Sequence, residues 1–564
     1  MHGSPYFTLK ITQSHKMKKF TTLLLLVTIF LLPTVANERS EIQMEQIAIQ
    51  KLYSARMAKS YSNSQASMNI KCVIDNSAYK VFNADNGFVI VSKDDKIAPV
   101  LGYSTSGNID KNNLPCGLKW WLDKVSEKTN IINSYSTSQY NNNKTLKANF
   151  STVEPLITTK WDQGEPFNRK CPKINNASTY AGCVAISLAQ VLNFNKYPVS
   201  ASFTSSYYVN SKRVDNESTE TTYLWPYSNT YSSSSLLGGN RVAMLIRDCG
   251  YAVHMNYTTE SSGASPIYIP SALIDDFAYP EKAVKIYFRD YYSDNEWEGL
   301  VYNEIMRGYP LIYNGSDAKN GGHSFVAAGI DDNGLIYIEW GWGGHADGYF
   351  DMNVLNTDGM QFSTAQSIVT GVRQKALDTD NYQSLLTTDS IYSFKYFNDN
   401  DSLAITFNKD VYNMTPTTLK GRFCLVLDDI TENKTYYEDL MQENDTVASF
   451  YGFAAQSFGS VITFDKSHSY HIYMATKDNR ETEWQPLRTF GGPIYYDITV
   501  DAAGLVTIND KPIYTDIKQI NYISTAKSAQ ADNRIYSIDG KYMGKDTNKL
   551  TRGIYILNGK KIIK

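Results

Sequence analysis

The chain has 564 residues, too many for one hydrophobic core, so several domains are expected. A formal net charge of −3, with no basic tract carrying interleaved aromatics, excludes an electrostatic nucleic-acid binder. Six cysteines are too few for a disulfide scaffold and lack paired zinc-type spacing, so neither metal nor other cofactor is expected.

Met17-Lys18-Lys19-Phe20 leads into an apolar run over 23–32, followed by Pro33-Thr34-Val35-Ala36. A basic start, a short hydrophobic stretch and a small-residue exit predict an export signal over 1–36, with Met17 an alternative start. The run is too short for a membrane anchor, and no membrane span is expected elsewhere. Residues 37–150 read as an α+β region, with a helix over 42–57 and strands over 79–82 and 87–92. Next comes Lys93-Asp94-Asp95-Lys96-Ile97-Ala98-Pro99-Val100-Leu101-Gly102-Tyr103-Ser104. A linker over 134–147, rich in Ser, Asn, Tyr and Lys, is solvated and open to proteolysis.

The chemistry concentrates after that linker. Lys160-Trp161-Asp162-Gln163-Gly164-Glu165-Pro166-Phe167-Asn168 supplies Gln163, whose side-chain amide can donate to a developing oxyanion. Tyr180-Ala181-Gly182-Cys183-Val184-Ala185-Ile186 then delivers a thiol to the first turn of an apolar helix closing near Tyr197-Pro198. Free amides and the peptide dipoles at that point favour the nucleophilic thiolate. A buried structural cysteine is the alternative. A Cys171–Cys183 disulfide would abolish the nucleophile, so none is expected.

A thiolate of this kind needs a histidine, and the chain holds seven. His2 and His15 flank the targeting segment, and His468 and His471 fall in a later strand-rich region. His254 follows Ala252-Val253 in a strand pattern and reads as structural, while His345 follows a glycine-rich turn. His323, in Asn320-Gly321-Gly322-His323-Ser324-Phe325-Val326, stands where glycines lead into a buried strand, and it is the preferred base. A further strand over 334–339 runs into Trp340-Gly341-Trp342-Gly343-Gly344, where glycine bends the chain between two tryptophans. Placed at that bend, Trp340 and Trp342 could shield a cysteine–histidine ion pair from water.

In this order the motifs resemble the streptopain (interpain-like) family of papain-like cysteine peptidases, over roughly residues 150–375. The resemblance implies Cys183 as nucleophile, His323 as general base and later acid, and Gln163 as oxyanion donor beside the Cys183 amide. It also implies a cleft lined by Gly322 and by Ser262 or Gly263, with Trp340 and Trp342 as further substrate-binding candidates. Two positions depart from the family pattern. Glu339 stands where Asn is usual, and would either favour imidazolium or face solvent. Ile186 stands where Thr is usual, as a packing variation. The run over 93–104 resembles the prodomain of the same family, which implies an intramolecular inhibitor lying over the cleft.

Past Val372 short alternating strands, over 402–407, 423–427, 460–464 and 470–474, predict a β-sandwich, immunoglobulin-like, acting as a spacer. The last segment turns at Asp539-Gly540 and Asn558-Gly559 and resembles the sorting domains of the type nine secretion system. The expected architecture is α+β: signal 1–36, prodomain 37–150, two-lobed papain-like unit 151–375, β-sandwich 376–500 and sorting-type tail 501–564. The expected function is a secreted or cell-surface cysteine endopeptidase made as a zymogen. Its partners would be protein or peptide substrates, its own prodomain and outer-membrane secretion machinery. A non-catalytic surface adhesin and a papain-fold acyltransferase are the alternatives.

Overall fold

Runs that are apolar on both faces form the centre of this molecule, and a computed structural model shows how they are covered. It describes residues 38–59, 68–134 and 151–514, apart from breaks at 204–205, 210, 216–217, 318, 320, 356–364, 384 and 441–444, together with four strands between 535 and 563. The expected export signal and the expected linker beyond Ser134 lie outside the described residues.

Helix α1 (Glu41–Lys59) places Met44, Ala48 and Leu52 on one face by their spacing of four. That face covers an antiparallel meander of β1 (Ile70–Asp75), β2 (Tyr79–Ala84), β3 (Phe88–Ser92) and β4 (Val100–Ser104). Helix α2 (Cys116–Ser134) buries Trp120, Trp121, Leu122 and Val125. Helix α3 (Cys183–Asn195) is apolar almost throughout and buried along its length. Lys196 in the left-handed conformation closes it, with Pro198 just beyond. Helix α4 (Leu236–Ala252) packs beside it.

The remaining elements of this unit are β5 (Lys285–Phe288), α5 (Asp294–Met306), β6 (Leu311–Asp317), β7 (Gly321–Ile330), β8 (Ile336–Glu339), β9 (Gly348–Phe350) and β10 (Ser367–Thr370). One ten-stranded sheet runs β1-β2-β3-β4-β9-β8-β7-β6-β10-β5. The first region therefore continues the sheet of the second. Tyr103 of β4 lies opposite Tyr349 of β9, and their rings stack 5.3 Å apart.

Further strands build two more sheets over one core. They include β11 (Ser393–Phe397), β12 (Ser402–Thr406), β13 (Leu419–Asp429), β14 (Lys434–Asp439), β15 (Ser457–Val461), β16 (Ser469–Asp478) and β17 (Gly492–Val500). Leu403, Ile405, Phe423, Ile472, Met474 and Tyr496 meet in that core. The third expected strand falls earlier than its apolar letters suggested, over Ser457–Val461. The last described strands form a four-stranded antiparallel sheet, and the Asp-Gly and Asn-Gly turns lie outside the described residues.

One expectation is corrected. His254 is not in a strand: it follows the C-terminus of α4, at φ 52°, stacked between Tyr207 and Tyr268. The C-terminal unit packs against α5. Arg488 pairs with Glu296 of α5, both about 6 % exposed, and donates to the Tyr291 carbonyl at 3.2 Å. Glu296 also belongs to the capping box that starts α5 at Ser293. No described helix is long and apolar enough to cross a membrane.

Truncating Arg488 strands the buried Glu296 carboxylate. Arg488→Ala is expected to lower stability by about 3–5 kcal/mol, read by chemical denaturation. Replacing both partners by apolar residues of similar volume should recover most of that loss.

Candidate active site

Gly182 sets the position of Cys183 at the start of α3. It caps α3 at φ 87°, and a Cβ there would meet the Met255 side chain at 2.6 Å and the Ser262 carbonyl at 3.1 Å. Only glycine fits both the angle and the approach. The half-buried Cys183 sulfur is met by the amides of Ser324, Val184 and Cys183 itself. Ser324 directly follows His323, and its hydroxyl pairs with that of Ser187 on α3 at 2.7 Å. Helix α3 and the start of β7 are thus stitched together beside the thiol.

His323 is 7 % exposed and sits opposite Gly315 of β6 in the ladder. Gln163 comes from the entry run, whose geometry is fixed at both ends. The Ala181 amide donates to the Gln163 carbonyl at 2.9 Å, and Gly343 donates to the Trp161 carbonyl at 2.9 Å. Trp161 is fully buried and donates its indole N–H to Ser228. Gln163 is therefore held two residues from Cys183 through backbone bonding.

The Ser262 hydroxyl accepts from the Thr258 amide at 3.0 Å, and so organises its own loop. Gly263 pairs with Asn256 through the backbone and faces open space where a side chain would stand. Gly322 is exposed, with Ser316 at 3.9 Å from where a Cβ would lie. Trp342 is half-buried beside the Cys116 thiol. Trp340 is different. It is 1 % exposed, packed on Phe325 and Phe350 and covered by Gly117, so in this precursor it is a core residue rather than a substrate contact. Ile186 packs on Gly341, the glycine between the two tryptophans.

The electrostatics reverse one sequence expectation. Burial pushes the Cys183 thiol up, outweighing the amides that favour its thiolate. Cys116, at the start of α2, lies near enough for its charge to couple to that of Cys183, and burial pushes it up to about 12. Glu339 neither faces solvent nor adjoins His323 among its hydrogen-bonding partners. It is fully buried and bonded to Gln190 and to the Gly341 amide.

Helix α2 covers the hairpin that carries His323. The Trp120 ring fills the space over Gly315, the residue opposite His323, where a Cβ would meet it at 2.4 Å. Lys124 pairs with Asp317 at 3.4 Å, Asp123 with Lys319 at 2.8 Å, and Lys128 donates to the Asn353 carbonyl at 2.9 Å. Further back, Lys51 of α1 pairs with Asp331 at 3.0 Å. Sequence reasoning missed Trp120, Lys124 and Gln190. The Trp120-Trp121 doublet and the position of Gln190, two helical turns beyond Cys183, were the available signals.

Among the described residues one group has metal-ligand spacing: Asp429, Asp465 and His468. Asp429 already accepts from His468 and from the amides of Thr431 and Glu432, which makes the group a loop clasp.

The Peptidase C10 family profile matches residues 161–350, and the Spi protease inhibitor profile matches 42–129. A prointerpain A fragment from Prevotella intermedia is 32 % identical, its whole length covered by 55 % of this chain, with a TM-score of 0.46. The chain belongs to the peptidase C10 family, whose members are cysteine peptidases. Streptopain of Streptococcus pyogenes is 27 % identical over 343 residues, which are 54 % of this chain and 83 % of streptopain. The thiol protease/hemagglutinin PrtT of Porphyromonas gingivalis is 27 % identical over 358 residues, 57 % of this chain but only 40 % of PrtT.

Trp120→Ala opens a hole over Gly315. It is expected to cost about 3–5 kcal/mol in denaturation and to speed alkylation of Cys183 in the unprocessed chain, measured by mass spectrometry.

Proposed function

We propose that this chain is the precursor of a secreted cysteine endopeptidase, inhibited by its own residues 37–150. The peptidase unit would be the two-lobed papain-like region 151–375, followed by an immunoglobulin-like sandwich over 376–500 and a sorting-type tail over 501–564. The observation that carries this is the Cys183 sulfur at the start of α3, facing the amide of the residue after His323.

Once the covering helix leaves, His323 takes the Cys183 proton and the thiolate–imidazolium pair forms. The sulfur attacks a peptide carbonyl, while the Gln163 side chain and the Cys183 amide stabilise the oxyanion. His323 then protonates the leaving amine, and water hydrolyses the thioester. Within the precursor burial pushes the same thiol up, so covering the cleft would also disarm the nucleophile.

Inhibition by residues 37–150 is supported by the match to an inhibitor profile and by the grip of α2 on the hairpin of His323. Export is supported by the amino-terminal sequence pattern, and passage through outer-membrane machinery by the tail. Protein or peptide substrates would enter beside Gly263, Gly322 and Trp342.

Purified precursor is incubated with casein and a thiol-directed peptide epoxide. Wild type is expected to shorten itself, degrade casein and take up the epoxide at Cys183. Cys183→Ala should do none of these. His323→Ala should slow hydrolysis by about 10²–10⁴, and Gln163→Ala by about 10²–10³. Equal casein loss in wild type and Cys183→Ala would end the proposal. Incorporation of amines in place of hydrolysis would favour the acyltransferase alternative.

A further inference from the structure

Behind the tryptophan turn lies a carboxyl pair that the dyad chemistry does not use. Strands β8 and β9 are antiparallel with Ile338 opposite Gly348, so the next positions, Glu339 and Asp347, meet across the ladder on one face. Glu339 is 0 % and Asp347 8 % exposed. They bind successive amides of the turn. Trp340 donates to Asp347 Oδ1 at 3.0 Å, and Gly341 to Glu339 Oε1 at 3.2 Å.

The second Glu339 oxygen accepts from the Gln190 amide group, and Gln190 Oε1 in turn accepts from the Thr159 hydroxyl. Gln190 belongs to α3, the helix that starts at Cys183, and Thr159 immediately precedes the entry run that carries Gln163. One buried relay therefore ties together the three elements that supply the nucleophile, the oxyanion donor and the tryptophan turn.

The charge around the pair is unbalanced. Asp162 faces Glu339, Lys160 faces Asp347 from an exposed side chain, and Tyr337 lies near both acids. Burial, then repulsion from Asp347, holds Glu339 well above the usual carboxylate range, and burial pushes Asp347 up to about 7.

We infer that Glu339 and Asp347 are positioning residues that hold the tryptophan turn against the nucleophile helix, and that they do so while a proton is retained between the two carboxyls. The catalytic consequence rests on the peptidase function proposed above; the relay itself does not.

The sign follows from linkage. Both acids bind protons more tightly folded than unfolded. Stability is therefore lost as pH rises from about 3.8, the ordinary value for an aspartate, to about 7, and does not recover above that.

The test follows thermal unfolding of the full chain by tryptophan fluorescence, from about pH 5 to about pH 8. Wild type should lose about 2–4 °C more across this range than Glu339→Gln or Asp347→Asn, each of which removes one of the two titrating acids. Glu339→Ala, lacking the link to Gln190, should unfold lower at every pH. In matured enzyme the alkaline limb of kcat should move upward in Glu339→Gln with KM unchanged. Identical pH dependence of unfolding in wild type and in both neutral variants would overturn the inference. A wild type that unfolds as expected but cleaves no peptide would sink the peptidase proposal and leave the relay standing.

Discussion

The contact on which this molecule turns is the Trp120 indole lying over Gly315. A side chain at 315 would collide with the ring, and the residue opposite Gly315 in the ladder is His323. A helix of the inhibitor-like region is thereby registered against the strand bearing the proposed base, to within one residue. The surrounding core reinforces it. Trp120 and Trp121 are fully buried and share a cluster with Phe325, Trp340 and Phe350, so residues from both regions form one apolar interior. Burying each indole contributes up to roughly 4–6 kcal/mol. The ladder between β4 and β9 adds register but spans only two residue pairs. Side-chain burial therefore dominates this junction, and the backbone pairing aligns it.

This division of labour explains how such a covering can be both firm and removable. Losing α2 would expose the faces of Trp340 and Phe325, and losing β4 would leave β9 as a new sheet edge. The peptidase side is nevertheless anchored independently of that junction. Its second core, around Trp161, Ala185, Leu188, Val242 and Ile246, takes nothing from the first region. Helix α3 and the entry run belong to that core, so Cys183 and Gln163 are anchored apart from the junction that covers the face around His323.

Much of the site was legible because chemistry restricts residue types. Cys183 at the start of α3 was legible because Tyr180-Ala181-Gly182 leads into an apolar run. Strands β2 and β3 were legible from apolar runs between turn residues. What escaped had mixed signals. In α2, Lys124 and Lys128 lie buried and interrupt the apolar stripe, because their charges are met by Asp317 and by the Asn353 carbonyl from distant parts of the chain. In α4, Gly238-Gly239 falls in the first turn and reads as a loop. His254 was misread because Val253 before it favours strands, whereas it sits where a helix ends. Glu339 was read at the end of its strand as facing either the histidine or solvent, since its partners Gln190 and Asp347 become neighbours only through the fold.

The buried thiol and the buried acids follow one rule. Burial disfavours the ionised form of each. For Cys183 the amides of Ser324 and Val184 oppose that burial, and Cys116 of the inhibitor-like region lies close by. Glu339 and Asp347 are held by Gln190 of α3 and by the amides of the turn between β8 and β9. Burial thus raises both the thiol and the acids, against backbone amides that donate to each.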